Sequence, residues 1–304
     1  MSFKNFLVKT LTKKHIKKLD QDTLMEIMRT SRMDTKFDEN QHRISGWEIP
    51  QDVEFVQTVY KNIRLEEMCY NDTKNTENVI LMFHGGGYLG RLNDIYSQFM
   101  YKLCNASLNY RVVSVEYRTS TIKPFPAAYE DALDAWEFLM NRSYKPENII
   151  ILGDSAGGGL GLALAMHLRD NNIKVKAYIG LSPWVDLNCN SEVHKNPKLR
   201  GTDPLFGTNR TLEICAEMYV GENDANDWRI SPLYGNFDNL PKMFLTYGTC
   251  EILRKDVQNL YERASKKNDV VLKVYKGCQH DIQVMECKEA DVAWQDISNF
   301  ILSL

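Results

Sequence analysis

The sequence predicts an α/β fold with a mostly parallel central sheet, flanking helices and a helical cap. Apolar runs rich in β-branched residues, such as 78–83 and 149–152, alternate along the chain with stretches whose apolar residues recur at helical spacing. Strands that alternate with helices form parallel sheets buried on both faces, which explains why these runs contain few polar residues. The polar, proline-punctuated stretch 188–230 interrupts the alternation and predicts an inserted lid.

Length, composition and charge limit the classes of protein to which the chain can belong. With 304 residues, of which 43% are hydrophobic and 25% charged, the chain can bury one large core as a single domain. The net charge of −3 gives no reason to expect a nucleic-acid partner. No apolar run approaches the roughly 20 residues that span a bilayer, and seven scattered cysteines without a C-x-x-C pair indicate reduced thiols. We therefore expect a cytoplasmic protein without stable membrane insertion, and the sequence leaves open whether it forms a homodimer.

The N-terminal segment is predicted to be helical and to cover the core. Two stretches, Phe3–Leu19 and Asp22–Met33, set apolar residues against many charged ones. A basic amphipathic helix can lie on an anionic membrane surface, but we favour a lid that packs over the protein's own pocket. The predicted division is an N-terminal helical cap segment at 1–50, an α/β core at 51–187 and 231–304, and a cap insertion at 188–230.

Strands and helices are predicted to follow one another through the core. The predicted strands are Glu54–Tyr60, Arg64–Tyr70, 78–83, Arg111–Tyr117, 149–152, Val175–Leu181, Lys242–Tyr247 and Val270–Tyr275. The predicted helices are Ile95–Leu108, Ala127–Met140, one that begins just after Ser155, Thr208–Tyr219 in the insertion, one that contains Asp256, and Lys288–Ile301. Because parallel strands end at the same edge of a sheet, side chains just past these ends should share one crevice.

The strongest local signal is the sequence Gly153-Asp154-Ser155-Ala156-Gly157, which matches the G-x-S-x-G nucleophile pattern. It stands between a buried strand and a helix, which is the context that the pattern requires. A serine at the tip of so sharp a turn needs neighbours without side chains, and the helix that follows directs free N–H groups toward developing negative charge. The alternative is an ordinary glycine-rich turn between a strand and a helix.

A second glycine cluster, His84-Gly85-Gly86-Gly87, follows the buried strand 78–83. Three consecutive glycines are costly unless the backbone itself is used, and acyl transfer uses backbone N–H groups to bind the oxyanion of the tetrahedral intermediate. We assign the N–H groups of Gly85 and Gly86, together with that of Ala156, to an oxyanion hole. A dinucleotide-binding loop is the alternative, but the pattern G-x-G-x-x-G is not matched.

A nucleophilic serine needs a base and a carboxylate that orients the base. His280 follows the last predicted strand and is the only histidine after His194, so it is the candidate base. For the acid we choose Glu251, which follows its strand closely, and keep Asp256, one helical turn further, as the alternative.

Tyr88, Trp184 and Met218 are candidates for the wall of a substrate pocket. Tyr88 follows the glycine cluster, Trp184 follows a strand end, and Met218 lies in the helical piece of the insertion. The alternative for these apolar residues is simple packing in the core or the lid.

Taken together, these motifs resemble the hormone-sensitive-lipase-like branch of α/β-hydrolases, which includes arylacetamide deacetylase and many carboxylesterases. The resemblance covers about residue 50 to the end, and it is carried by His84-Gly85-Gly86-Gly87, Tyr117-Arg118, Pro124-Phe125-Pro126-Ala127-Ala128, Gly153-Asp154-Ser155-Ala156-Gly157-Gly158, Ser182-Pro183-Trp184-Val185-Asp186-Leu187, Ser231-Pro232-Leu233, Glu251 and His280. It implies an α/β-hydrolase fold, hydrolysis of carboxylic esters without cofactor or metal, and a cap built from the N-terminal segment and the insertion. Many members place Asp where this chain has Glu251.

We therefore expect a serine hydrolase that cleaves small-molecule esters with short to medium acyl chains through an acyl-enzyme. Two alternatives use the same fold: an amide deacetylase with the same triad, and a receptor that binds a small molecule without cleaving it. The presence of Ser155, Glu251 and His280 argues against the receptor, because non-catalytic members have lost a triad residue.

Overall fold

The computed structural model describes residues 47–304, and the two helices predicted within 1–50 lie outside this range. The strands are β1 (Val53–Tyr60), β2 (Ile63–Tyr70), β3 (Val79–Phe83), β4 (Arg111–Glu116), β5 (Ile149–Asp154), β6 (Ala177–Leu181), β7 (Lys242–Gly248) and β8 (Val270–Tyr275). The helices are α1 (Asp94–Ser107), α2 (Ala127–Asn141), α3 (Ser155–Asp170), α4 (Glu192–Lys195), α5 (Pro197–Arg200), α6 (Thr211–Val220), α7 (Arg254–Ala264) and α8 (Lys288–Leu302).

In the described part of the chain, the strands form one eight-stranded sheet in the order β1-β2-β4-β3-β5-β6-β7-β8. The first two strands pair antiparallel across the turn at Lys61, and β2 pairs antiparallel with β4; every later pairing is parallel. The predicted α/β fold with a mostly parallel sheet and flanking helices is therefore confirmed.

The strand sequences are apolar because both faces of the sheet are buried. In β3, Leu81 packs into the cluster on one face, whereas Ile80 and Met82 pack into the cluster on the other, as the two-residue period of a strand requires. The helices α1 and α8 cover the second face, to which they contribute Phe99 and Phe300. The face that holds Leu81 is covered mainly by α2 and α3.

The stretch between β6 and β7 contains more helix than the sequence predicts. In place of the single helix Thr208–Tyr219, it contains α4, α5 and α6. The four-residue helices α4 and α5 are too short to generate a periodic pattern. The start of α6 shifts to Thr211 because the side chain of Asn209 accepts the Thr211 N–H at 3.1 Å, just ahead of the first turn.

Candidate active site

Ser155 occupies a strained turn between β5 and α3. Its φ is +50°, in the left-handed region that side chains rarely adopt. A Cβ on Gly153 would lie 2.3 Å from the Gly157 carbonyl oxygen, and one on Gly157 would lie 2.1 Å from that of Phe83. Both glycines of the G-x-S-x-G pattern are therefore required by the close approach of backbone, as the chemistry of a nucleophile elbow predicts.

His280 lies beside the hydroxyl of Ser155. Its Nε2 is 2.9 Å from Ser155 Oγ, although 125 residues separate the two along the chain. The sheet explains this contact, because Ser155 follows β5 and His280 follows β8, and parallel strands end at the same edge. At this distance the imidazole can take the proton of the hydroxyl.

Glu251 lies on the other side of the imidazole. Its Oε2 is 3.6 Å from His280 Nδ1, longer than a hydrogen bond but close enough for a strong electrostatic interaction. The carboxylate is fully buried, and it accepts hydrogen bonds from the Ser182 hydroxyl at 2.7 Å and from the Gly248 N–H at 3.2 Å. These bonds fix the direction in which the carboxylate faces the ring.

Asp256, the alternative acid, faces a different histidine. It lies in the first turn of α7, and its Oδ2 is 3.8 Å from His194 Nδ1. His194 belongs to the insertion, and the Ser191 hydroxyl lies 2.8 Å from the same ring nitrogen. Of the two candidate acids, only Glu251 is thus brought next to His280.

The charges around His280 favour its protonated form. Burial by itself lowers the pKa of the imidazole, but the carboxylates of Asp281 and Glu251 outweigh burial, and the pKa of His280 is raised well above its ordinary value. Burial also raises the pKa of the Glu251 carboxyl, and the interactions with His280 and Ser182 only partly offset that rise.

The glycine cluster after β3 contacts the nucleophile turn through Asp154. The Gly85 N–H donates to Asp154 Oδ1 at 3.0 Å, and the Tyr96 hydroxyl donates to Oδ2 at 2.9 Å. Burial, reinforced by the nearby Asp281, raises the pKa of Asp154 to about 8. Because the Gly85 N–H already has an acceptor, this bond argues against its predicted role as an oxyanion donor.

The next two glycines differ from Gly85 in conformation. Gly86 and Gly87 have φ values of +103° and +63°, and Gly86 is exposed. Among residues 47–304, no protein acceptor takes the N–H of Gly86, Gly87 or Ala156, the last of which lies in the first turn of α3. These three N–H groups therefore lack a protein acceptor within the described range, in contrast to the Gly85 N–H.

His84 holds the glycine cluster against the sheet. Its Nδ1 lies 2.8 Å from the Gly85 carbonyl oxygen, and its ring stacks on Tyr117 at a centroid distance of 4.2 Å. The Tyr117 hydroxyl in turn donates to the His84 carbonyl at 2.7 Å. These contacts fit the positioning of a loop.

The predicted pocket residues have different surroundings. Tyr88 stacks on Tyr219 of α6 with centroids 3.7 Å apart, and Trp184 lies 6.3 Å from Tyr88; all three rings are buried. Met218 is half-buried and packs against the larger core cluster. Tyr88, which directly follows the glycine cluster, and Trp184 are thus neighbours in the buried core.

Three residues near the triad were not singled out as site residues by sequence reasoning. The Ser182 hydroxyl donates to Glu251, the Asp281 carboxylate lies 3.0 Å from His280 Nε2, and the ring of Phe206 meets that of His280 edge-on at 5.5 Å. Ser182 stands in the motif that carries the family resemblance, and Asp281 adjoins the candidate base. Phe206, in the irregular insertion, had no comparable signal.

Residues 47–304 contain neither a candidate metal site nor a helix that could span a membrane. Within this range no three His, Cys, Asp or Glu side chains are grouped so that they could hold a metal ion. None of the helices described in that range combines the length and the apolar character needed to cross a bilayer.

Comparison with known proteins identifies the family. A family model described as alpha/beta hydrolase fold matches residues 80–284. An esterase of Acinetobacter venetianus is 31% identical over 233 residues, 74% of this chain and 75% of the relative. An acetyl-hydrolase of Streptomyces hygroscopicus is 32% identical over 188 residues, 62% of either chain. The crystal structure of a hormone-sensitive lipase from a metagenome library has a TM-score of 0.78 at 26% identity, covering 94% of this chain and 98% of that one. The chain therefore belongs to the alpha/beta hydrolase family, in its hormone-sensitive-lipase-like branch of esterases.

Proposed function

We propose that this carboxylic ester hydrolase cleaves small esters through an acyl-enzyme on Ser155. The Ser155 hydroxyl attacks the ester carbonyl while His280 takes its proton, and His280 then protonates the departing alcohol. In the second half of the reaction, His280 activates water, which releases the carboxylic acid and regenerates the serine. Glu251 holds the ring of His280 and stabilises the imidazolium formed at each step.

The observation that carries the proposal is the separation of 2.9 Å between Ser155 Oγ and His280 Nε2. The two residues follow different strands, β5 and β8, and meet at the edge where these strands end. The left-handed φ of Ser155 adds to it, because a strained backbone persists only where the surrounding structure holds it, as at an active site. The separation of 3.6 Å between His280 and Glu251 fits an orienting carboxylate, since such contacts tighten when substrate binds.

We assign the oxyanion hole to the N–H groups of Gly86, Gly87 and Ala156. Gly87 replaces Gly85 in this assignment, because the Gly85 N–H is donated to Asp154. Each donor of this kind contributes about 3 kcal/mol to the stability of the transition state, so two or three of them supply a large part of the catalysis.

We assign short acyl chains to the substrate. Tyr88, Trp184 and Tyr219 are each at most 1% exposed, and the ring of Tyr88, the residue that follows the glycine cluster, packs against the other two. A relative named as an acetyl-hydrolase supports this assignment. Esters of long acids would need these packed rings to move.

The test is hydrolysis of p-nitrophenyl esters from acetate to decanoate by the full chain. The wild-type protein should turn over acetate and butyrate fastest, whereas Ser155→Ala should lose turnover and no longer react with a fluorophosphonate. Ser303→Ala, which replaces an exposed serine near the C-terminus, is the matched control and should keep both ester turnover and reaction with the fluorophosphonate. Unchanged turnover in Ser155→Ala would reject the mechanism, and fastest turnover of decanoate would reject the short acyl chain.

Two further measurements test the alternative functions, amide hydrolysis and binding without cleavage. Faster cleavage of p-nitroacetanilide than of p-nitrophenyl acetate would identify an amide deacetylase. Saturable binding of an ester without turnover or fluorophosphonate labelling would identify a receptor.

A further inference from the structure

A second carboxylate faces the reacting nitrogen of His280. Asp281 Oδ2 lies 3.0 Å from His280 Nε2, the same nitrogen that lies 2.9 Å from Ser155 Oγ. Glu251 faces the opposite nitrogen, Nδ1. The imidazole is therefore bracketed by carboxylates on both sides, whereas the triad mechanism requires only the one at Nδ1.

The backbone holds Asp281 in this position. Its φ is +50°, a left-handed conformation that Asp tolerates better than most residues. Its N–H donates to Ser182 Oγ at 3.4 Å, and the same hydroxyl donates to Glu251. The Asp281 side chain is 13% exposed, so solvent screens the interaction with the ring only in part.

We propose that Asp281 is a positioning residue that binds the protonated Nε2 of His280 and thereby sets the pH at which Ser155 becomes a nucleophile. The proposal rests on the triad mechanism proposed above. A neutral His280 must present the lone pair of Nε2 to the serine hydroxyl, and a carboxylate at 3.0 Å repels that lone pair. Once Nε2 carries a proton, the same carboxylate attracts it and competes with Ser155 Oγ for it.

Among the described groups around the His280 ring, Asp281 is the one that places a charge beside Nε2. The groups that face His280 are Ser155 from α3, Glu251 from the turn after β7, Phe206 from the insertion and Asp154 at the end of β5. Ser155 and Phe206 are uncharged, Glu251 faces Nδ1, and Asp154 is engaged by Gly85 and Tyr96. The raised pKa of His280, to which Asp281 contributes, is consistent with this assignment.

The test compares Asp281→Asn and Asp281→Gly with the wild-type full chain. Both replacements accept a left-handed backbone, and both remove the charge. Asp291→Asn removes an exposed carboxylate on α8 and is the matched charge control. Circular dichroism and thermal unfolding first establish that each variant is folded.

The first measurement is the NMR titration of the His280 ring in protein labelled with ¹³C-histidine, with the signal assigned by its loss in His280→Asn. We expect the midpoint to move down by about one pH unit or more in both Asp281 variants, the shift typical of removing a close opposite charge, and to stay in place in the control. A midpoint within 0.2 units of wild type in both variants would overturn the proposal.

The second measurement is the pH profile of kcat/KM for p-nitrophenyl acetate. Its acid limb should move to lower pH by the same amount as the titration, so that the variants keep activity at pH values where the wild-type protein is inactive. An acid limb that stays in place while the titration moves would also overturn the proposal, because Asp281 would then act on the ring without controlling the nucleophile.

The two measurements separate this proposal from the mechanism on which it rests. If the wild-type protein hydrolyses no ester at any pH, the proposed function fails. The titration then still decides whether Asp281 controls the protonation of His280.

Discussion

The identity of the acid in the triad can be tested by replacing Glu251 with Gln. The replacement keeps the size of the side chain and removes its charge. The amide can still accept the Ser182 hydroxyl, so we expect the fold to survive. The glutamine side chain no longer provides a negative charge 3.6 Å from His280 Nδ1 when the ring becomes an imidazolium.

The expected loss follows from this distance. Two unit charges 3.6 Å apart interact by about 4.6 kcal/mol at an effective dielectric constant of about 20. The interaction exists in the transition state, when the imidazolium is present, and is absent while the imidazole is neutral. At about 1.4 kcal/mol for each factor of ten, kcat should fall by roughly a thousandfold.

The assay is the initial rate of p-nitrophenyl acetate hydrolysis at saturating substrate, measured at the pH optimum of each variant. Asp256→Asn is the matched control, a second buried carboxylate five residues along the chain that faces His194. It should keep kcat within a few-fold of wild type. The reasoning is refuted if Glu251→Gln keeps more than a tenth of the wild-type kcat, or if Asp256→Asn loses as much as Glu251→Gln.

Three further predictions concern the surroundings of the triad. Ser182→Ala removes the 2.7 Å bond to Glu251 and should lower kcat/KM about tenfold to a hundredfold, the effect of about 1.5–3 kcal/mol for a bond to a charged group; a loss below threefold would contradict it. Gly157→Ala would place a Cβ 2.1 Å from the Phe83 carbonyl oxygen and should abolish activity and lower the melting temperature, and wild-type activity in this variant would contradict the prediction. Asp154→Asn should reduce the pH dependence of stability. Between about pH 4 and 8 the native state holds a proton on Asp154 that the unfolded chain has released. The free energy of unfolding of the wild-type protein therefore falls as pH rises through this window, and the variant should lose this contribution. Urea unfolding across that window measures the slope, and a slope equal to that of the wild type would contradict the prediction.

The strands and their order along the chain were predictable because buried parallel strands leave a clear signal. Val270–Tyr275 was predicted to the residue, and β3 to within one residue. An apolar run that ends in glycine or a charged residue marks both the strand and the edge where it stops. Ser155 and His280 could be expected to meet for that reason, since each follows such a run.

Side-chain directions within the loops at this edge were not predictable. The sequence alone assigns Gly85 and Gly86 to the oxyanion hole, and the bond from the Gly85 N–H to Asp154 is what separates Gly85 from Gly86 and Gly87. In the same way, Phe206 reaches His280 from an insertion whose helices α4 and α5 are four residues long. Such contacts depend on local hydrogen bonds of polar side chains, which leave no periodic pattern.

Strained backbone conformations also cluster at this edge of the sheet, where the strands end. Among residues 47–304, five non-glycine residues with left-handed φ follow strands at this edge: Lys61 after β1, Tyr88 after β3, Ser155 after β5, Ser182 after β6 and Asp281 near the end of the turn after β8. Each costs on the order of 1–3 kcal/mol and persists only where its surroundings hold it. Ser155, Ser182 and Asp281 are also joined to one another or to His280 by the contacts of the triad. The strain and the reactive groups therefore coincide because sharp turns are what brings side chains from separate strands around one imidazole.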